Sequence, residues 1–197
     1  QHPDWVLPGY LKETPLDTPI DFSGPAARKW LRDRFRPIAR SGVRYFWTDF
    51  NGAPTEGKLS DPHMVKKFEN ARAGMGAIRN AVGRRSLIGT YTSPIHCFVG
   101  QVDRVRVSLD MGGFGNWDYL RKVAGYIAGA YFYHGRLWMN DPDPVFVDAT
   151  NNPQYLEEAK MRVALGVCAG SFVCMGEDFR KYSPERERLL TLAMPSY

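Results

Sequence analysis

The sequence predicts an α/β protein with a parallel sheet, and two observations lead to this class. Strand-like and helical segments alternate along the 197 residues, a pattern typical of parallel sheets covered by helices. Acidic residues also follow three of the strand-like runs, at Asp49, at Asp110 and in the Asn140–Asp143 segment. Asp49 and Asp110 lie 61 residues apart, and Asp110 and Asp143 lie 33 apart. One β/α unit of a barrel has roughly 30 residues, so the first separation is close to two units and the second to one unit.

The N-terminal half predicts a loop, then a helix, a strand and a second helix. Residues 1–24 are rich in Pro, Asp and Gly and predict an ordered loop. Pro25 is suited to a first helical turn, and apolar residues recur at helical spacing over 26–39, so we expect a helix there. Aromatic and β-branched residues over 43–50 predict a strand. Residues 62–82 predict the second helix.

The C-terminal half continues this alternation. Short apolar runs there are followed by loops with Gly, Pro or acidic residues, and helical patterns come next. We expect strands at 87–91, 102–109, 137–139 and 171–175, and helices at 117–131, 155–165 and 184–194. Five strands are too few for a closed barrel of eight. If the fold is a barrel, roughly three strands would lie on the N-terminal side of this sequence.

Charge and hydropathy narrow the classes of partner. Basic residues exceed acidic ones by 26 to 21, a net charge of +5. They are dispersed, and the densest cluster, residues 28–36, is typical of the solvated face of a helix, so we expect no nucleic-acid partner. No apolar run of about 18 residues occurs, so we expect no membrane partner. The first residues show no signal-peptide pattern, and localisation stays unknown.

The sequence predicts no metal site and no cofactor site. Cys97, Cys168 and Cys174 have no metal-ligand spacing, and we expect free, buried thiols. The Gly112–Gly115 segment is too short and wrongly placed for a dinucleotide-binding loop. We expect it instead to let the backbone approach a ligand after Asp110.

Asp49 and Asp110 are the candidate catalytic pair. Glycoside cleavage typically uses two carboxyl groups, which lie about 5–5.5 Å apart in retaining enzymes. Both aspartates close strand-like runs that should be buried, one rich in aromatic residues before Asp49 and one with alternating Val and Leu before Asp110. A carboxylate there is unfavourable unless it is paired, hydrogen-bonded or functional. The simpler alternatives are a turn or helix-cap role for Asp49 and a proline-containing turn for Asp141 and Asp143.

Arg106 is expected beside Asp110, because residues four apart in a strand point to the same side. Its guanidinium group could hold a carboxylate or sugar hydroxyls, or it could form a structural ion pair. Aromatic side chains near the strand ends could stack on a sugar ring or fill the core. They are Trp5, Tyr45, Trp47, Tyr91, Trp117 and Trp138.

Eight stretches of the sequence carry a family resemblance. They are HPDWVL at 2–7, DFSGP at 21–25, YFWTDF at 45–50, LIGTYTSP at 87–94, VGQVDRVRVSLD at 99–110, LWMNDPD at 137–143, MGED at 175–178 and SPER at 183–186. In this order they resemble the alpha-galactosidase-like glycoside hydrolases of clan D, and the resemblance is closest to family 36, the melibiase type. The likeness extends over nearly the whole chain.

The resemblance implies a partial (β/α)8 TIM barrel. Residues 1–197 would supply strands four to eight with their helices, as the C-terminal part of a catalytic barrel. The implied activity is that of a retaining alpha-glycosidase that hydrolyses terminal alpha-galactosides by double displacement. By carry-over, Asp49 matches the nucleophile and Asp110 the general acid/base. Arg106 and Asp143 match sugar-binding positions.

Two positions depart from the family pattern. Trp47 stands where the family has a lysine that binds sugar hydroxyls, and Thr90 replaces a cysteine common on the fifth strand. We count both among the expected substrate-binding residues, together with Trp138, and the two departures leave the sugar open. The expected partner is therefore an oligosaccharide or another glycoside.

Two readings without catalysis stay open. One is a truncated barrel that keeps the motifs but cannot complete a subsite, and the other is a carbohydrate-binding protein without turnover. An open, five-stranded partial barrel would also expose sheet edges, which tend to pair or aggregate. We therefore expect self-association, or association with a missing N-terminal part of the same barrel.

Overall fold

Five α-helices and four strands occur in the part of the chain that the structure describes. The computed structural model describes residues 3–6, 20–49, 59–64, 68–91, 95–111, 117–147, 156–170 and 174–194. Helices α1 to α5 are Pro25–Arg40, Glu69–Val82, Trp117–Ala130, Leu156–Cys168 and Pro184–Ala193. Strands β1 to β4 are Tyr45–Thr48, Leu87–Thr90, Arg104–Arg106 and Met139–Asp141. Short 3-10 helices cover Pro3–Trp5, Ile95–Phe98, Tyr131–Tyr133 and Phe179–Lys181.

The four strands form one parallel sheet in the order β1-β2-β3-β4. Trp47 of β1 is in register with Gly89 of β2, and Gly89 is in register with Arg104 of β3. Helix α2 lies in the connection from β1 to β2, and α3 lies in the connection from β3 to β4. Parallel strands joined through helices confirm the predicted α/β class.

Two compact units divide the chain after Val105, inside β3. In unit 1, Gln1–Val105, helix α1 packs against α2. In unit 2, Arg106–Tyr197, a hydrophobic cluster includes Val123 of α3, Val163 of α4 and Leu190 of α5. Each unit therefore has internal packing of its own.

Several predicted elements are shorter than expected or displaced. The strand predicted at 102–109 covers only Arg104–Arg106, and the chain bends before Asp110. The strand predicted at 137–139 lies at Met139–Asp141, so two polar residues expected in a turn belong to β4. The helix predicted at 62–82 begins at Glu69. The spacing of apolar residues in the sequence was enough to locate these elements. Their ends depend on hydrogen bonds in the folded chain, which that spacing does not show.

The last predicted strand, 171–175, lies partly outside the described residues. Met175 forms an isolated parallel bridge with Val145. Helix α1 begins at Pro25, as the proline in the first turn predicted. Among the helices of the described residues, none is both long and apolar enough to cross a bilayer.

Candidate active site

Arg106 is the centre of a charged cluster in unit 2. Its Nη1 donates to Asp143 Oδ1 at 2.7 Å, and its Nη2 lies 2.9 Å from Asp110 Oδ1. The side chains of Arg106 and Asp143 are 11% and 8% exposed, whereas that of Asp110 is 53% exposed. One largely buried cation thus links a buried carboxylate to an exposed one. These three residues are called the Arg106 cluster below.

Asp143 is held in place from several directions. Its backbone has a φ of 81°, which is uncommon for a residue with a side chain, although Asp tolerates it better than most. Asp143 N donates to Asp141 Oδ1 at 2.9 Å, and Asp143 Oδ2 accepts from Met111 N at 2.7 Å. Ser108 Oγ donates to Pro142 O at 2.8 Å, which ties the same turn to the end of β3.

Burial raises the pKa of the Asp143 carboxyl group above its ordinary value. The hydrogen bonds from Arg106 and Met111 lower this pKa, but loss of hydration is the larger effect, and the nearby Asp110 also raises it. The Arg106 cluster therefore contains a carboxyl group that is harder to ionise than an exposed aspartate.

Asp110 is more exposed than predicted, and the backbone geometry that brings it to Arg106 also differs from the prediction. The sequence predicted a carboxylate at a buried strand end, but Asp110 lies four residues beyond β3 and is exposed. The predicted contact with Arg106 exists, although it is made by a bend and not by alternation along a strand. Asp110 O also accepts a hydrogen bond from Tyr119 Oη of α3 at 2.8 Å. The Asp110 carboxylate is therefore accessible from solvent while it contacts Arg106.

Asp49 directly follows β1 in unit 1, and it is exposed as well. Exposed and buried residues alternate along β1, so Tyr45 and Trp47 share a face and Phe46 and Thr48 lie on the other. The sequence placed Asp49 at a strand end, and the structure does so too. The sequence predicted that Asp49 would lie in buried surroundings, but the residue is exposed.

Trp47, Gly89 and Arg104 form one layer across three strands of unit 1, called the Trp47 layer below. The indole ring lies so close to Gly89 that a Cβ there would be 2.5 Å from it. The Arg104 guanidinium carbon is 5.7 Å from the centre of the Trp47 ring, and Nη1 donates to Tyr45 Oη at 3.2 Å. A cation near an aromatic face is favourable, and it holds the indole across the sheet.

Two predicted substrate-binding residues are buried. Thr90 has no exposed surface, and Trp138 is 4% exposed. The Trp138 indole donates to Asn140 Oδ1 at 3.1 Å, and its ring packs near Tyr133. Both side chains lie inside the packing of their own units. They can support residues that line a site, but they present almost no surface of their own to a ligand.

The cysteines agree only in part with the prediction. All three are free, but Cys168 and Cys174 are exposed and only Cys97 is buried. Burial raises the pKa of the Cys97 thiol to about 11. Within the described ranges, His, Cys, Asp and Glu side chains form no group of three or more that could hold a metal ion.

Four residues that contact the candidate site were not singled out from the sequence. Gly89 and Arg104 complete the Trp47 layer, whereas Tyr119 and Arg162 donate to the carbonyl oxygens of Asp110 and Met111. A glycine inside a strand pattern is a known sign of close approach by another group, so Gly89 could have been suspected. The helix residues Tyr119 and Arg162 have no comparable local signal.

Comparison with solved structures identifies the fold. No protein-family model matches the sequence. TtGalA, an alpha-galactosidase from Thermus thermophilus in complex with stachyose, is similar over 100% of this chain and 46% of its own, with TM-score 0.74 and 20% identity. Its complex with p-nitrophenyl alpha-D-galactopyranoside matches 98% of this chain and 42% of its own, with TM-score 0.72 and 21% identity.

These likenesses confirm the predicted fold class. The parallel sheet with flanking helices corresponds to part of an alpha-galactosidase TIM barrel. The chain spans less than half the length of either solved chain. At this level of identity the comparison establishes the fold, and the chemistry has to be argued from the side chains.

Proposed function

We propose that this chain is part of the catalytic barrel of a retaining alpha-glycosidase of the family 36 type. The reaction would be hydrolysis of terminal alpha-galactosides by double displacement. The Arg106 cluster is the observation that carries the proposal, because a buried arginine there bridges an exposed and a buried carboxylate. It occurs in a fold shared with an alpha-galactosidase.

Asp110 is the proposed general acid/base. Its carboxylate is 53% exposed, so a glycosidic oxygen or a water molecule can reach it. The contact with Arg106 limits the positions that its side chain can take, and fixed orientation is a large part of catalysis by positioned groups.

Asp49 is the proposed nucleophile. It is exposed directly after β1, beside the face of β1 that carries Trp47. In the double displacement, the Asp49 carboxylate would attack the anomeric carbon while Asp110 protonates the leaving oxygen. Water, deprotonated by Asp110, would then break the glycosyl–Asp49 ester bond and regenerate both groups.

Arg106, Asp143 and Trp47 are the proposed sugar-binding residues. Asp143 and Arg106 offer an acceptor and donors for hydroxyl groups, and Trp47, which is 40% exposed, offers a flat apolar face. Thr90 and Trp138, which are buried, would support the residues that contact the sugar without contacting it themselves. The two solved structures of the similar enzyme are complexes with stachyose and with an aryl alpha-galactoside, and this is the basis for proposing alpha-galactosides here.

Paired substitutions of the two aspartates test this proposal. Asp110→Asn should lower kcat/KM for an alpha-galactoside by roughly 10²–10⁴, the range that positioned acid–base groups contribute. Asp49→Asn removes the nucleophile and should lower kcat/KM at least as much. Asp110→Asn should slow an activated aryl galactoside less than an alkyl galactoside, because a good leaving group needs little protonation. Steady-state kinetics on both substrates measure this difference.

Asp118→Asn is the matched control, because Asp118 is a 76% exposed aspartate of α3. Catalysis by the aspartate pair requires that the control keep full activity. Equal activity in all three variants would remove Asp49 and Asp110 from the mechanism. Binding of a galactoside without turnover, measured by calorimetry on the unsubstituted protein, would instead favour a carbohydrate-binding protein.

A further inference from the structure

Arg162 is a second buried arginine in unit 2, and the proposed mechanism does not use it. It lies on α4 and has no exposed surface. Side chains of a helix tilt towards its N-terminus, and Arg162 reaches from α4 to the segment that carries Asp110. There its Nε donates to Met111 O at 3.1 Å.

Three side chains hold the backbone of Asp110 and Met111. Tyr119 Oη donates to Asp110 O at 2.8 Å, Asp143 Oδ2 accepts from Met111 N at 2.7 Å, and Arg162 Nε donates to Met111 O at 3.1 Å. They come from α3, from the turn after β4 and from α4. This set of contacts is called the 110–111 clamp below.

A stabilising role alone does not account well for Arg162. Its Nη1 and Nη2 are buried and have no hydrogen-bond partner among the residues that the structure describes. Burial lowers the pKa of its guanidinium group, and the nearby Glu158, Glu177 and Tyr119 only partly oppose this effect. A buried charge of this kind is unfavourable, and an apolar residue of similar volume is often as stable or more stable.

We propose that Arg162 is a positioning residue for Asp110, which it influences by fixing the Met111 carbonyl group within the 110–111 clamp. The catalytic part of this inference rests on the proposed function, whereas the mechanical part does not. Arg162 touches Met111, Met111 touches Asp143, and Asp143 shares Arg106 with Asp110. Loss of the Arg162 bond therefore loosens the backbone from which the Asp110 side chain projects.

Arg162→Met and Arg162→Gln form a matched pair for the test. Both replacements are uncharged and similar in size. The Gln side-chain nitrogen stands at the same distance along the chain as Arg Nε, and Met has a methyl group there. Gln can therefore keep the donor to Met111 O, whereas Met cannot.

Amide hydrogen exchange at Met111, followed by NMR, is the first measurement. We expect exchange about tenfold faster in Arg162→Met, in keeping with the loss of one hydrogen bond to a charged group, and within about twofold of the original rate in Arg162→Gln. Val123 and Ile127 of α3 should be unaffected in both. Equal Met111 rates in the two variants would overturn the proposal, as would faster exchange throughout unit 2.

Kinetics give the second measurement. Arg162→Met should lower kcat about tenfold for an alkyl galactoside with little change in KM, and should leave an activated aryl galactoside nearly unaffected. An equal fall in kcat for the two substrates would contradict an effect of Arg162 through Asp110. If the unsubstituted protein hydrolyses neither substrate, the proposed function fails, and the exchange rates still decide the 110–111 clamp. If Arg162→Met does not fold, the apolar Arg162→Leu takes its place in both comparisons.

Discussion

Two arginine side chains each contact more than one of the residues that could carry chemistry. Arg106 joins Asp110 to Asp143, and Arg104 lies near the Trp47 ring. A guanidinium group can bond two carboxylates in different directions and can also stack on a ring, which a lysine does less well. A single residue can therefore orient several others around it.

The buried carboxyl group of Asp143 provides a pH test of the Arg106 cluster. Its raised pKa means that the folded protein holds the proton more tightly than the unfolded chain does. The contribution of Asp143 to the free energy of unfolding therefore falls as pH rises from below 3.8 through the folded-state pKa. The difference in unfolding free energy between the original protein and Asp143→Asn should decrease over that interval.

Urea unfolding of both proteins at a series of pH values measures this difference. Asp118→Asn serves as the comparison, since its carboxylate is 76% exposed. A difference that increases with pH would mean that Arg106 and Met111 outweigh the loss of hydration at Asp143.

Secondary-structure elements were predictable where a local signal marks their ends. Pro25 predicted the start of α1, and the structure begins that helix there. No such signal stops the strand-like run at 102–109, yet β3 ends at Arg106, and Ser108 beyond it donates to Pro142 O. That bond joins residues far apart in sequence, so pattern within a short window cannot reveal it.

The close contact between Gly89 and Trp47 gives a prediction at the scale of the sheet. Gly89→Ala would place a Cβ 2.5 Å from the Trp47 ring and 2.7 Å from Tyr45 Oη, so these side chains must shift to make room for it. Overpacking of this kind typically reduces the free energy of unfolding by about 1–3 kcal/mol. Denaturant unfolding measures the change, and quenching of Trp fluorescence reports the movement.

Gly125→Ala is the matched control for this change. Gly125 lies within α3, and a Cβ there meets no atom within 4 Å. Alanine in an exposed helix should be more stable than glycine by roughly 0.5–1 kcal/mol. If Gly89→Ala were as well tolerated as Gly125→Ala, the Trp47 layer would not be tightly packed.

At the scale of the whole molecule, β1 is the first strand in the order of the described sheet. Tyr45 and Trp47 of β1 are 39% and 40% exposed, and Val43 just before it is 40% exposed. Exposed apolar edge strands tend to pair with other strands, and charged residues prevent this. We expect the protein to self-associate through this edge.

Val43→Lys should weaken that association. Light scattering after size-exclusion chromatography, over a range of protein concentrations, should show a mass that rises with concentration for the original protein and less so for this variant. Val167→Lys, on the exposed side of α4, is a control that should not alter the mass. A single monomeric mass at all concentrations would show that the edge does not pair.

Local sequence patterns were enough to predict the α/β class, the order of the elements and the place of Asp49 directly after a strand. These depend on periodicity and composition within short segments, which act locally. Three features are visible only in the folded chain: which carboxylates are buried, the contact of Trp47 with Gly89 and the hydrogen bond from Arg162 to Met111. Burial, close contact and hydration loss depend on residues brought together from distant parts of the chain, so local pattern carries no record of them.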